Sequence, residues 1–271
     1  MSLSINKYHP RPSLRPYIKF YYLIRTDDTG DIQLDNHPQG DVDLIFTLDG
    51  EAEFKPGKSS ATPLTDMFVV AQQNQSFQFS FKPNTRLLGI TFQAPHFGEF
   101  FKLPMPELAN TGVSIEPEYG FELKDVVNQF QALELEEDLI FILEEYLTKK
   151  LERSPLGPNL SANLLPLIQE HNGVLSVGQL EQMAGYSTRT LQRKFQAELG
   201  ISPKSLLQIV RFNALLAQLK QGSIDSWSRI VYDYGYFDQA HFIKDFKRYT
   251  SKTPTNFLQS NTTLSDFFLN S

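Results

Sequence analysis

The chain contains no cysteine, which removes disulfides, thiolate zinc sites and cysteine nucleophiles together and suits a reducing compartment. It has no run of about 18 apolar residues. The opening stretch MSLSINKYHPRPSLRPYI sets charges and prolines where a secretion signal needs an apolar segment. The expectation is a cytoplasmic protein that spans no membrane. Gly-rich phosphate loops and nucleophile elbows are missing too. No enzyme class has a catalytic constellation to rest on, and no cofactor is expected. Positive charge is in deficit, with 25 Lys and Arg against 31 Asp and Glu, a net of −6.

That mean hides a split. From Pro155 to Ser260 there are 11 Lys and Arg against 7 Asp and Glu, a net of +4, whereas the remainder has 14 against 24, a net of −10. An acidic N-terminal half joined to a mildly basic C-terminal half is the charge pattern of a DNA-binding module carried on a different kind of domain. At 271 residues the chain is long enough for two domains, each with its own core.

Residues 1 to about 95 fall into short alternating runs broken by Gly, Pro and Asn: Tyr17 to Ile24, Val42 to Leu48, Met67 to Val70, Phe77 to Phe81 and Leu87 to Phe92. In FQFSF the three rings share one face of a strand. This predicts a β-rich sandwich or barrel, followed by a short helix around His96 to Phe101. From Gly120 the period becomes helical, first through Phe121, Val126, Val127 and Phe130, then through Leu135, Leu139, Ile142, Leu143, Tyr146 and Leu147. The second stripe reads equally well as a dimer seam and as packing against the barrel. RSPLGPNL, Arg153 to Leu160, cannot continue a helix and marks a boundary. The expected organisation is an α+β multidomain chain: a β-rich domain over 1–115, a helical segment over 116–152, a linker over 153–160, an all-α domain over 161–260 and a tail over 261–271.

The all-α domain writes nearly the same sentence twice. GYSTRTLQRKFQAELGISPKSL runs from Gly185, and GYFDQAHFIKDFKRYTSKTPTNF runs from Gly235. Gly185-Tyr186 match Gly235-Tyr236 at an offset of 50, whereas Leu191, Phe195 and Pro203 match Phe242, Phe246 and Pro254 at 51, so the second turn holds one extra residue. In each copy a helix ends at Gly, Ser187 or Asp238 caps the next, and a second helix begins. This is helix-turn-helix, twice. With Leu191 and Phe195 inward, Arg189, Gln192 and Arg193 lie outward; with Phe242 and Phe246 inward, Gln239, His241 and Lys244 do. Arg suits guanine O6 and N7, and Gln suits adenine N6 and N7, which is why these types fit base reading. Pro203 opens a connecting helix with Leu207, Val210, Leu215 and Leu219 on its apolar face, running to about Lys220. Its length of about 27 Å compares with about 34 Å between successive major grooves on one face of DNA.

On these motifs residues 160–260 resemble the DNA-binding domain of the AraC/XylS family of bacterial transcription regulators, two helix-turn-helix units bridged by a long helix. The resemblance implies sequence-specific binding of double-stranded DNA, with RNA polymerase as a further partner. It assigns base reading to Thr188, Arg189, Gln192 and Arg193 in the first unit and to Gln239, Ala240, His241 and Lys244 in the second. It gives phosphate contacts to Ser187, Lys194, Lys204 and Lys247. Three positions depart from the family pattern: Glu181 and Val231 stand where a small Ala precedes the turn, and Ser251 stands where Gly precedes the second Thr-Pro.

The stretch HPQGDVDLIFTLDG, His37 to Gly50, together with LGITFQAPHFGEFF and PELANTGVSI, resembles the cupin-like regulatory domain of one subgroup of that family. It implies a small β-barrel with trailing helices that serves a small-molecule effector or dimerisation. His37 and His96 are metal candidates only in a cupin enzyme, but no HxH pair exists and five scattered histidines read as ordinary side chains. Asp41 and Asp43 share a strand face as a candidate dyad, or else sit in a turn beside Gly40. The competing reading of the whole chain is a ligand-binding or enzymatic cupin whose C-terminal helices only mediate assembly.

Overall fold

The computed structural model describes residues 3–115, 135–153, 159–220 and 231–259, with Val126, Gln129, Leu133 and Gly157 besides. Ten strands come first: β1 Leu3–Tyr8, β2 Ile18–Thr26, β3 Ile32–Asn36, β4 Asp41–Asp49, β5 Ala52–Pro56, β6 Thr62–Pro63, β7 Met67–Val70, β8 Phe77–Phe81, β9 Arg86–Gln93 and β10 Gly112–Ser114. They form a six-stranded sheet in the order β1-β2-β9-β4-β7-β10 and a four-stranded sheet in the order β3-β8-β5-β6. Every pairing is antiparallel.

The alternation in FQFSF does what period two dictates: Phe77, Phe79 and Phe81 are buried while Gln78 and Ser80 are not. Together with Phe54 they meet Ile45, Phe68 and Val70 of the larger sheet. The opposite face of that sheet is covered as well, because Phe92 packs on Phe97, Phe100 and Phe101 of helix α1, Ala94–Phe101. The central strands are therefore buried on both faces, with six consecutive positions from Leu87 to Phe92 enclosed. At Gly89 an added Cβ would lie 1.9 Å from the ring of Tyr22, its cross-strand partner. Glycine is what lets that ring lie over β9.

Short helix α2, Met105–Leu108, and helix α3, Glu136–Arg153, follow. Leu139, Leu143 and Leu147 on α3 are fully enclosed in the chain's own core, and Ile142 and Tyr146 are half-buried. Leu135 precedes the helix and is exposed. Glu136 receives hydrogen bonds from Asn6 and Tyr8 and pairs with Arg25, which ties α3 to β1 and β2. Phe121, Val127 and Phe130 lie outside the described residues.

Among the described residues further helices follow: α4 Leu160–Glu170, α5 Val177–Ala184, α6 Thr188–Leu199, α7 Pro203–Lys220, α8 Gln239–Thr250 and α9 Pro254–Gln259. No helix among the described residues is long and apolar enough to cross a membrane. Both halves share one continuous apolar cluster. Asn159, in the stretch expected to be a linker, caps α4 and donates to Pro95 O at 2.6 Å. The carboxyl end of α6 rests on α2, where a Cβ on Gly200 would come within 2.2 Å of Met105 O.

The candidate carboxylates and histidines of the N-terminal domain take definite places. Asp41 and Asp43 lie within β4, on the inward face with Ile45, and not in a turn. His37 is 2 % exposed, its ring edge-on to Phe212 and Phe257. His96 packs edge-on to Tyr17 at 5.0 Å. No group of His, Asp and Glu among the described residues is arranged to hold a metal ion.

Candidate nucleic-acid interface

The first helix pair is built by local chemistry. Ser176 opens α5 with a reciprocal cap, its hydroxyl accepting from the Gln179 amide while the Gln179 side chain accepts from Ser176 N. Gly185 then ends α5 at φ 68°, a left-handed turn that Gly235 repeats at φ 64°. Ser187 caps α6 by accepting from Thr190 N. Asp238 caps α8 by accepting from His241 N at 2.7 Å. The first helix of the second unit is described only from Val231, residues 231–233 being helical.

Inward positions are as periodicity requires. Leu191, Phe195, Phe242 and Phe246 have at most 1 % of their surface exposed. That leaves Thr188, Arg189, Gln192 and Arg193 exposed on α6, and Gln239, Ala240 and Lys244 exposed on α8. His241 differs. It is half-buried, with its ring 5.3 Å from Tyr236 and its Nε2 3.7 Å from Asp245 Oδ2. Among the phosphate candidates Ser187, Lys204 and Lys247 are exposed and Lys194 is half-buried.

The connecting helix fixes the second unit. Arg211 on α7 places its guanidinium 4.3 Å from the Tyr236 ring centre and 3.5 Å from Asp245 Oδ2. Tyr234 donates to Ala214 O on the same helix. Phe212 stacks on Tyr249 and meets Phe246 edge-on. α8 is thus held by apolar, cation–aromatic and ionic contacts at once.

The departures from the family pattern are also accounted for. Glu181, half-exposed, accepts the Thr188 hydroxyl at 2.5 Å and so bridges the two helices of the first unit. Val231 is buried. Ser251 ends α8 in the left-handed region at φ 60°, where Gly200 ends α6 at φ 75°. Its hydroxyl hydrogen-bonds that of Ser76.

Sequence reasoning missed two exposed rings beside the second unit. Phe237, 91 % exposed, is the extra residue of the second turn, and Tyr232 is 82 % exposed. The change of offset from 50 to 51 located Phe237 without revealing its exposure. Arg248 was missed as well; it is exposed on α8 beside Lys247 and Lys244.

A family model described as a helix-turn-helix domain matches residues 180–260. A second, described as a domain of unknown function (DUF6597), matches residues 6–114. An uncharacterized HTH-type transcriptional regulator of Haemophilus influenzae is 30 % identical over 127 residues, which cover 45 % of this chain and 42 % of that protein. The chain thus spans less than half the length of the curated relative it matches. Among solved structures, ToxT from Vibrio cholerae O395 aligns over 95 % of this chain and 97 % of its own, at 14 % identity and a TM-score of 0.45. An RmlC-like cupin protein from Desulfovibrio desulfuricans aligns over 34 % of this chain and 82 % of its own, at 13 % identity and a TM-score of 0.26. Over residues 180–260, which hold both turn-and-cap units, the chain is thus similar to a helix-turn-helix domain.

Proposed function

We propose that the protein is a cytoplasmic, sequence-specific regulator of transcription that sets α6 and α8 into consecutive major grooves of one duplex. The observation that carries this reading is the pair of capped helices with exposed polar faces, fixed to one another through α7. Arg189, Gln192 and Arg193 read bases from α6, and Gln239, Ala240 and Lys244 read from α8, with His241 at the edge. Ser187, Lys194, Lys204 and Lys247 hold phosphates, joined by Arg248. The N-terminal domain modulates binding through a small-molecule effector or through dimerisation, and RNA polymerase is the partner on DNA.

Arg193 and Lys247 separate base reading from backbone holding. Arg193→Ala is expected to cost about 1 to 3 kcal/mol at one base position and to relax the preference there. Lys247→Ala is expected to weaken all sequences alike and to reduce the salt slope by about 1. Both are read by fluorescence anisotropy on a matched set of duplexes. Equal losses for Arg193→Ala on preferred and scrambled duplexes would refute its assignment.

A further inference from the structure

The residue by which the second turn exceeds the first is a phenylalanine. Gly185 is followed by Tyr186 and the cap Ser187, whereas Gly235 is followed by Tyr236, Phe237 and the cap Asp238. A ring just before a helix cap ordinarily packs back on the first turns of that helix and sets the angle at which the chain enters it. Tyr236 already does this: it is buried, its ring centre 5.4 Å from that of Phe242 and 5.3 Å from that of His241. Gly235, at φ 64°, begins the turn that takes Tyr236 inward. Phe237 is left 91 % exposed, with no packing duty toward α8.

Its place in the chain is beside the base readers. Phe237, Asp238, Gln239 and Ala240 are consecutive exposed residues leading into α8, and the first residues of a helix in the major groove are the ones that meet base edges. Lys244, Lys247 and Arg248 lie exposed further along the same helix and supply the positive charge that a duplex needs.

The chemistry of the ring narrows what it meets there. Phe237 has no polar atom with which to hold a phosphate or a base donor or acceptor, whereas Tyr232, the other exposed ring, keeps a hydroxyl for water or phosphate. Next to Phe237 the Asp238 carboxylate accepts from His241 N at 2.7 Å, and its negative charge repels phosphate from this corner of the unit. The apolar group that base pairs present in the major groove is the C5-methyl of thymine, and aromatic rings suit it. Burying one methyl group corresponds to about a fourfold change in affinity.

We infer that Phe237 is a specificity-determining residue of the second unit, its ring reading one thymine by packing on the C5-methyl. The assignment rests on the reading of the chain as a regulator that sets α8 into a major groove, and it deepens that reading by naming a base and the residue that selects it. The full chain is first used to select a site from a random duplex pool, and each thymine of that site is then replaced in turn by uracil. Uracil pairs as thymine does and lacks only the methyl group. Binding is read by fluorescence anisotropy for the wild type and for Phe237→Ala. At one position a thymine-to-uracil change is expected to weaken wild-type binding about fourfold and to leave Phe237→Ala unaffected. The uracil series on the wild type needs no variant to fold, and the exposed ring predicts a melting midpoint for Phe237→Ala equal to that of the wild type. A wild type indifferent to every uracil overturns the assignment, and so does a sensitivity that Phe237→Ala keeps in full. Phe237→Ala that binds every duplex as the wild type does also overturns it, and is the result expected if the ring docks a protein instead. Failure of the wild type to prefer any duplex over random DNA strikes at the regulator reading itself and takes this assignment with it.

Discussion

Desolvation between the two sheets pushes the Asp43 carboxyl from its usual value of 3.8 up to about 7; Asp41 adds to the rise, and the Thr91 hydrogen bond and the Lys19 ammonium oppose it. The folded state therefore binds this proton more tightly than the unfolded chain does. The stability it contributes is fully present below about pH 4 and is lost as pH rises through about 7. Thermal midpoints measured between about pH 5.5 and 8 are expected to fall as pH rises, and Asp43→Asn is expected to flatten that fall. Asp41 and Asp43 were visible in the sequence as a pair on one strand face, but their burial was not, because it depends on the second sheet closing over them. Thr188, Arg189, Gln192, Arg193 and Lys244 were legible because outward direction follows from helical period alone.

Helices in the C-terminal half start and stop where single residues dictate. Asp238 caps the start of α8, and its replacement by Ala removes the acceptor of the His241 amide. Asp238→Ala is expected to cost about 1 kcal/mol and to lower the thermal midpoint, with DNA affinity falling alike on all sequences. The check is calorimetric melting beside anisotropy; a melting point unchanged from wild type would contradict the cap. Caps, turn glycines and the inward pairs Leu191–Phe195 and Phe242–Phe246 are local features, and the sequence carried them in full. The α3 leucines were ambiguous, since a dimer seam and a core stripe share one period, and period alone does not show that Leu139, Leu143 and Leu147 are enclosed. Nor could sequence show that His241 would turn toward Asp245 and Tyr236, partners that come together only once α8 is folded against the preceding turn.

Across the whole molecule the two halves meet through His37, Phe212, Phe257 and the Ser76 and Ser251 contacts, with Lys252 3.0 Å from Asp35. Phe212 is the shared point, fully buried and in contact with His37, Phe246 and Tyr249. Phe212→Ala is expected to cost about 3 to 5 kcal/mol in denaturant unfolding and to weaken binding to two-site duplexes more than to single half-sites. Contacts of this range cannot be read from composition or spacing; the charge split along the chain foretold two domains but not how they dock. The central claim is that α6 and α8 read one duplex together. Selection of binding sites from a random duplex pool with the full chain tests it most directly. The expected result is enrichment of two short half-sites about one helical turn apart, on the order of 10 base pairs. Enrichment of a lone half-site, or of none by folded protein, would contradict it.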